Sequence, residues 1–192
     1  EALLIVEVEG SDEEMDAMLA RIIEIAKRHG VSTIKESQSA TEAALIWKGR
    51  KSAFGATGRI ADYICMDGTV PLGQLSHVLK ETSVIVAKYG LRVANVFHAG
   101  DGNMHPLILF NANDPEEAHK AELAGNDILK LCVDAGGCLT GEHGVGVEKR
   151  DLMTHQYAAV DLEQQMRVRS AFDPKWIFNP SKVFPLEGRL AK

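Results

Sequence analysis

Cysteine is scarce in this 192-residue chain. Cys65, Cys132 and Cys138 form no CxxC pair, and an odd number excludes a complete disulfide framework, so a reducing, cytoplasmic setting is the simplest expectation. Long apolar runs are also missing. "EALLIVEV" and "HPLILF" fall far short of the roughly 20 residues that a membrane-spanning helix needs, and neither a signal peptide nor a lipidation motif is visible. Positive charge is in deficit. A net charge of -6 and a pI near 5.6 argue against a binder of phosphate backbones, which carries a basic face, so nucleic acid is not an expected partner. No repeat, low-complexity tract or Pro/Gly/Ser linker divides the chain.

What is present fits a globular fold. Hydrophobic residues at 45% and charged residues at 25% are ordinary for a soluble domain, and the length suffices to bury a real core. The chain has no initiator Met and starts directly in an apolar run, which leads us to expect a piece of a longer polypeptide. Strand-like residues 2–8 precede a helix. There Ser11 is a candidate N-cap with Glu14 three residues on, Met15, Leu19, Ile22, Ile23 and Ala26 follow at helical spacing, and Gly30 stops it. A short strand is expected near 31–35, then a helix over "TEAALIWKGRKSAFGAT" and a strand in "RIADYICMDGTVP". Pro71 suits the start of the helix that ends at Gly90, strands follow in "LRVANVFH" and "MHPLILF", and residues 115–137 read as a helix. The pattern predicts an α+β fold: a ferredoxin-like antiparallel sheet with helices packed on one face, plus a helical C-terminal part.

Two segments carry chemistry. In "FHAGDGNMHP" a turn centred on Asp101 and Gly102 would set His98 directly opposite His105 on one sheet face, with Cβ atoms about 4.5 to 5.5 Å apart. Such a pair can converge on a cation, or can simply be two partly buried histidines bonded to backbone or water. In "GGCLTGEHGVG" Glu142 and His143 sit side by side among glycines. If that segment is extended, one of them can face a metal and the other a substrate. A His2Glu set with open positions suits Zn²⁺, and Mn²⁺ or Fe²⁺ is also chemically reasonable. The alternative is a turn whose Glu caps a helix and whose His is solvated. "GVGVEK" is no dinucleotide fingerprint.

These two segments, with "IWKGRKSAFGA" upstream and "FDPKWIFNPSKVFP" at the end, closely resemble the C-terminal cap domain of FAD-linked 2-hydroxyacid oxidoreductases. That group lies in the vanillyl-alcohol-oxidase-like flavoprotein superfamily, in its glycolate oxidase and D-lactate dehydrogenase branch. The resemblance covers essentially the whole chain, residues 1–192. It implies a separate FAD-binding domain N-terminal to this one, other oxidase subunits or an electron acceptor as further partners, peripheral membrane attachment through such partners, and a homo-oligomer as one arrangement.

The resemblance also assigns roles. It places His98, His105 and Glu142 as ligands of a divalent metal, His143 as the base that takes the substrate hydroxyl proton, and Arg50 as the partner of the substrate carboxylate, a task suited to a planar guanidinium. Asn179 and Lys182 match a tail that returns toward the flavin, although many relatives have Gly where Ser181 stands. In the 2-hydroxyglutarate branch a small hydroxylic residue and a lysine hold the second carboxylate; Phe54 and Cys65 stand there here, which points to a small monocarboxylate such as glycolate or D-lactate. The fragment alone is expected to be inactive. The other class of function is a metal- or ligand-binding module without redox activity.

Overall fold

A computed structural model describes residues 2–185 and divides the chain into two compact units, residues 1–53 and 54–192. In the first unit, helix α1 (Asp12–Arg28) starts at a reciprocal capping box: the Ser11 hydroxyl accepts the Glu14 amide, while the Glu14 carboxylate accepts the Ser11 amide. Helix α2 (Ala40–Thr57) begins in this unit, with the Ser39 hydroxyl accepting the Glu42 amide at 3.2 Å. The strands expected at residues 2–8 and 31–35 are not formed among the described residues. Leu3 and Leu4 are 88% and 72% exposed. A strand exists through its ladder, and an apolar run cannot say whether a partner edge is there to receive it.

The second unit supplies the α+β core. Strands β1 (Asp62–Cys65), β3 (Arg92–Asn95) and β5 (Pro106–Phe110) form one antiparallel sheet in the order β1-β5-β3. Short strands β2 (Gly68–Thr69) and β4 (Asn103–Met104) pair as a second ribbon. β1 and β3 thus run parallel on either side of β5, joined through helix α3 (Leu75–Lys88), which is the ferredoxin-like crossover. The place of a fourth strand is reduced to a single bridge, Thr69 with Cys138.

Helices α3 and α4 (Pro115–Asp134) pack on one face of this sheet. Val78, Thr82 and Val86 recur every fourth residue of α3, and Ala121, Ala124, Ile128, Leu129 and Cys132 line the buried stripe of α4. They close over Ile108 and Met66, and Tyr89 Oη donates to the Asp127 carboxylate at 2.7 Å to tie the helices together. Asp114 caps α4 by accepting the Glu116 and Glu117 amides, with Pro115 at its first position. The opposite parity of the strands, Tyr63, Cys65, Leu107 and Leu109, faces away from α3 and α4, and His105 and Asp67 continue that face. After α4 come a four-residue helix α5 (Met153–Gln156) and helix α6 (Ala159–Phe172), the helical C-terminal part.

Where the chain turns from α4 toward β2, Gly137 packs against bare backbone. A Cβ there would run into the Thr69 carbonyl and come within 2.9 Å of the Cys132 carbonyl, neither of which can rotate away. Gly137→Ala should therefore lower the stability of this unit by about 2 kcal/mol, whereas Gly73→Ala, with no atom within 4 Å of the added carbon, should stay within about 0.5 kcal/mol of the parent. Urea midpoints of the two variants provide the check, and equal midpoints would contradict this account of the edge.

Candidate functional site

The β3–β5 hairpin sets the first two histidines, in a register other than the one expected. Asn95 pairs with Pro106 and His98 bridges to Asn103, so Val96, whose amide donates to the His105 carbonyl at 3.3 Å, stands opposite His105. The turn is a 3-10 turn over Ala99–Asp101 closed by Gly102 at φ 67, rather than a two-residue loop, and this moves the pairing by two residues. A shift of two preserves the face. His98 and His105 remain diagonal neighbours, with ring centroids 5.6 Å apart and edge to face.

Segment 140–143 completes the site by wrapping around one buried carboxylate. Asp67 has no exposed surface and accepts the Thr140 hydroxyl at 2.6 Å, the Gly141, Glu142 and His143 amides at 3.1, 3.1 and 2.9 Å, and the Lys149 ammonium at 3.0 Å. Burial alone would raise its pKa. The Thr140 hydroxyl, the His143 amide and Lys149 outweigh that effect and hold the carboxyl well below the usual range. Asp67 in "MDGT" carried no spacing signal in the sequence, since its partners lie 73 to 82 positions further along.

The wrap brings His105, Glu142 and His143 together. With Asp67 they each offer a ligand atom, all within 4.8 Å of one another. His105 Nε2 lies 3.1 Å from Glu142 Oε1 and 3.5 Å from Asp67 Oδ1, yet neither contact is a hydrogen bond, so both its buried ring nitrogens lack a hydrogen-bond partner among the described residues. Such orphaned nitrogens are costly unless something else satisfies them, and a cation is the partner that two carboxylates beside an imidazole invite. Asp67 is the least available of the four, because its oxygens already serve five protein donors.

His143 departs from expectation. Its exposed ring stacks on His105 at 5.2 Å and 14° instead of pointing away from the cation position, and its ring nitrogens take no hydrogen bond among the described residues. The segment bends at 141–143 to feed consecutive amides to Asp67, so adjacent side chains do not diverge as they would in an extended run. His98 is exposed beside the cluster and is not one of its four members. The 5.6 Å separation from His105 is nonetheless close to the roughly 5 to 5.5 Å that metal–nitrogen bonds of about 2.1 Å impose on two imidazoles sharing an ion.

The remaining candidates surround this centre or lie elsewhere. The Phe54 ring stands 6.1 Å from His105, edge to face, and forms an apolar wall. Burial, reinforced by the Asp67 charge, pushes the Cys65 thiol up to about 11, so it is neutral at pH 7. Arg50 belongs to the first unit, half-buried on α2. Asn179 and Lys182 are exposed on the tail after α6. That tail is held next to the site loop: Arg150 donates to the Ser181 carbonyl at 2.9 Å and the Val183 amide to the Gly146 carbonyl at 2.8 Å. Ser181 has φ 62, the left-handed region where Gly is the easier residue.

Acid should loosen this unit in two stages. Burial, only partly opposed by Glu142 and Asp67, sets the His105 imidazole below its ordinary 6.5. The unfolded chain therefore takes up that proton first, and stability falls as pH drops below about 6.5. Asp67, depressed in the fold, contributes stability present above about pH 3.9 and lost as pH falls toward its folded value. Urea midpoints in the presence of a chelator should be flat near neutrality and decline in these two windows. His105→Asn should remove the first decline only, and a parent midpoint that rises between pH 7 and pH 5 would contradict the assignment.

Residues 1–183 match the family described as "FAD linked oxidases, C-terminal domain". The chain is 45% identical over its full length to glycolate oxidase subunit GlcD of Escherichia coli, and 31% identical over 98% of its length to the protein of the same name from Bacillus subtilis. It is 30% identical over 92% of its length to a mitochondrial D-lactate dehydrogenase [cytochrome] of Kluyveromyces lactis. It spans 39%, 40% and 31% of the lengths of these curated relatives, so the match is to a part of each. A match over nearly every residue places this chain in the family of FAD linked oxidases, as their C-terminal domain.

Proposed function

We propose that this chain is the substrate-binding cap domain of a flavin-dependent oxidoreductase that oxidises a small D-2-hydroxyacid, of the glycolate or D-lactate type, to the 2-oxoacid. The observation that carries the reading is the buried imidazole of His105, with no hydrogen bond to either nitrogen among the described residues, beside the Glu142 carboxylate and the His143 ring. Relatives named as glycolate oxidase and D-lactate dehydrogenase proteins support the substrate class. In this reading a flavin-binding domain lies N-terminal to the cap, and the protein works in a reducing compartment such as the cytoplasm. All three cysteines are free, and no helix among the described residues is long and apolar enough to cross a membrane.

His98, His105 and Glu142 would hold the divalent ion, Zn²⁺, Mn²⁺ or Fe²⁺, with nitrogen and oxygen donors suited to all three. When bound, the ion supplies positive charge that acidifies the substrate hydroxyl, and the flavin supplies the hydride acceptor. The chain's own groups do the rest. His143, exposed and with open ring nitrogens, accepts the hydroxyl proton as the α-hydrogen leaves. Arg50 fixes the carboxylate. Phe54 limits the room beside His105, and the neutral Cys65 offers no charge to a second carboxylate, which favours monocarboxylates. Asn179 and Lys182 are the tail residues assigned to the flavin side.

The alternative, a metal- or ligand-binding module without redox activity, is separated by assay of the polypeptide joined to its flavin domain. That protein should oxidise glycolate or D-lactate. His143→Gln should lower kcat about 10²- to 10⁴-fold. Arg50→Met should raise KM about 10- to 100-fold. Elemental analysis should find a divalent metal that His105→Ala loses. No turnover of any 2-hydroxyacid by a flavin-loaded protein would favour the module, and unchanged turnover in His143→Gln would remove that residue as the base.

A further inference from the structure

We propose that Asp67 is the positioning residue of this site: it sets Glu142 and His143 against His105 by binding the backbone that carries them. The inference rests on the metal-site reading above for its consequence, although not for its geometry. Three successive amides, from Gly141, Glu142 and His143, and the Thr140 hydroxyl converge on one carboxylate that solvent does not reach. Such a ring of N–H groups is the arrangement that captures an external anion. Here the chain's own carboxylate occupies it, so the ring determines where residues 141–143 lie. The Thr140 hydroxyl also accepts the Gly144 amide at 2.8 Å, which extends the hold by one residue.

Two further contacts bind Asp67 to the site. Lys149, itself buried, reaches back with its ammonium 3.0 Å from Oδ2, anchors the far end of the loop and balances the buried charge. Oδ1 lies 3.5 Å from His105 Nε2, so the residue that holds the loop also borders the imidazole against which the loop is set. A buried ion pair is weak evidence for stability in itself, since apolar replacements often do as well. What apolar groups cannot do is direct three amides to one point. Glu142, 54% exposed at its side chain, depends on its backbone for its place.

The test uses this chain after chelator treatment, with Zn²⁺ as the probe. Asp67→Asn should weaken Zn²⁺ binding in calorimetry about 10- to 100-fold, as loss of groups that orient metal ligands does. The amides of Gly141, Glu142 and His143 should exchange with deuterium about tenfold faster or more. Val86→Ala, a core change in α3, controls for lost stability and should leave both readouts near the parent. Should Asp67→Asn not fold, Thr140→Val, which keeps the carboxylate and Lys149, should speed the same amides about threefold or more. Unchanged loop exchange in the folded variant would overturn the proposal whether or not the parent binds zinc. A parent that binds no zinc would remove the metal reading alone, and the exchange data would still decide the role of Asp67.

Discussion

The site depends on one interaction: the buried Asp67 carboxylate receiving a hydroxyl, three consecutive amides and an ammonium from residues 140–149. Asp67 follows β1 on the sheet face that looks away from α3 and α4, so its position is fixed by the strand pairing of the core. The loop that brings Glu142 and His143 has little regular structure of its own. It borrows rigidity from the sheet through this contact and through the Thr69 bridge to Cys138. A buried carboxylate with fewer donors would cost several kcal/mol. With five, its charge is fully compensated and its place is tied to the loop.

That dependence explains what could be read from the chain and what could not. The α1 capping box was legible because Ser11 and Glu14 are three residues apart and act locally. Helices α3 and α4 were legible as segments, one between Pro71 and Gly90 and one over residues 115–137, and with the strands between them the α+β class. His98, His105, Glu142 and His143 stood out in the sequence as candidates, and the structure brings the last three together with Asp67. The hairpin register was not legible, because the turn length decides it, and Gly102 closes a 3-10 turn rather than a two-residue loop. Asp67 was not legible either, because the contacts that define it join distant parts of the chain. The stacked His143 follows from Asp67: once three amides converge, neighbouring side chains lose the alternation an extended segment would have given them. The N-terminal strands failed for the opposite reason, having the pattern without a partner.

Family membership and geometry bear on different questions. The match over residues 1–183 places the chain in the family of FAD linked oxidases, while the ring nitrogens of His105, without a hydrogen bond among the described residues, mark the site that this part carries. The tail joins the same centre from another direction, since Arg150 and Gly146, just beyond the Asp67 wrap, hold the backbone at Ser181 and Val183. The loop that carries Glu142 and His143 and the tail that carries Asn179 and Lys182 are thus held beside each other by these two hydrogen bonds.

The proposed role of this cluster is to hold a divalent ion through imidazole and carboxylate. X-ray absorption at the zinc edge of the zinc-loaded chain tests it directly. The account predicts a first shell of nitrogen and oxygen only, at about 2.0 to 2.2 Å, with outer-shell imidazole scattering that weakens in His105→Ala. A sulfur shell near 2.3 Å, or a spectrum without imidazole scattering, would contradict it.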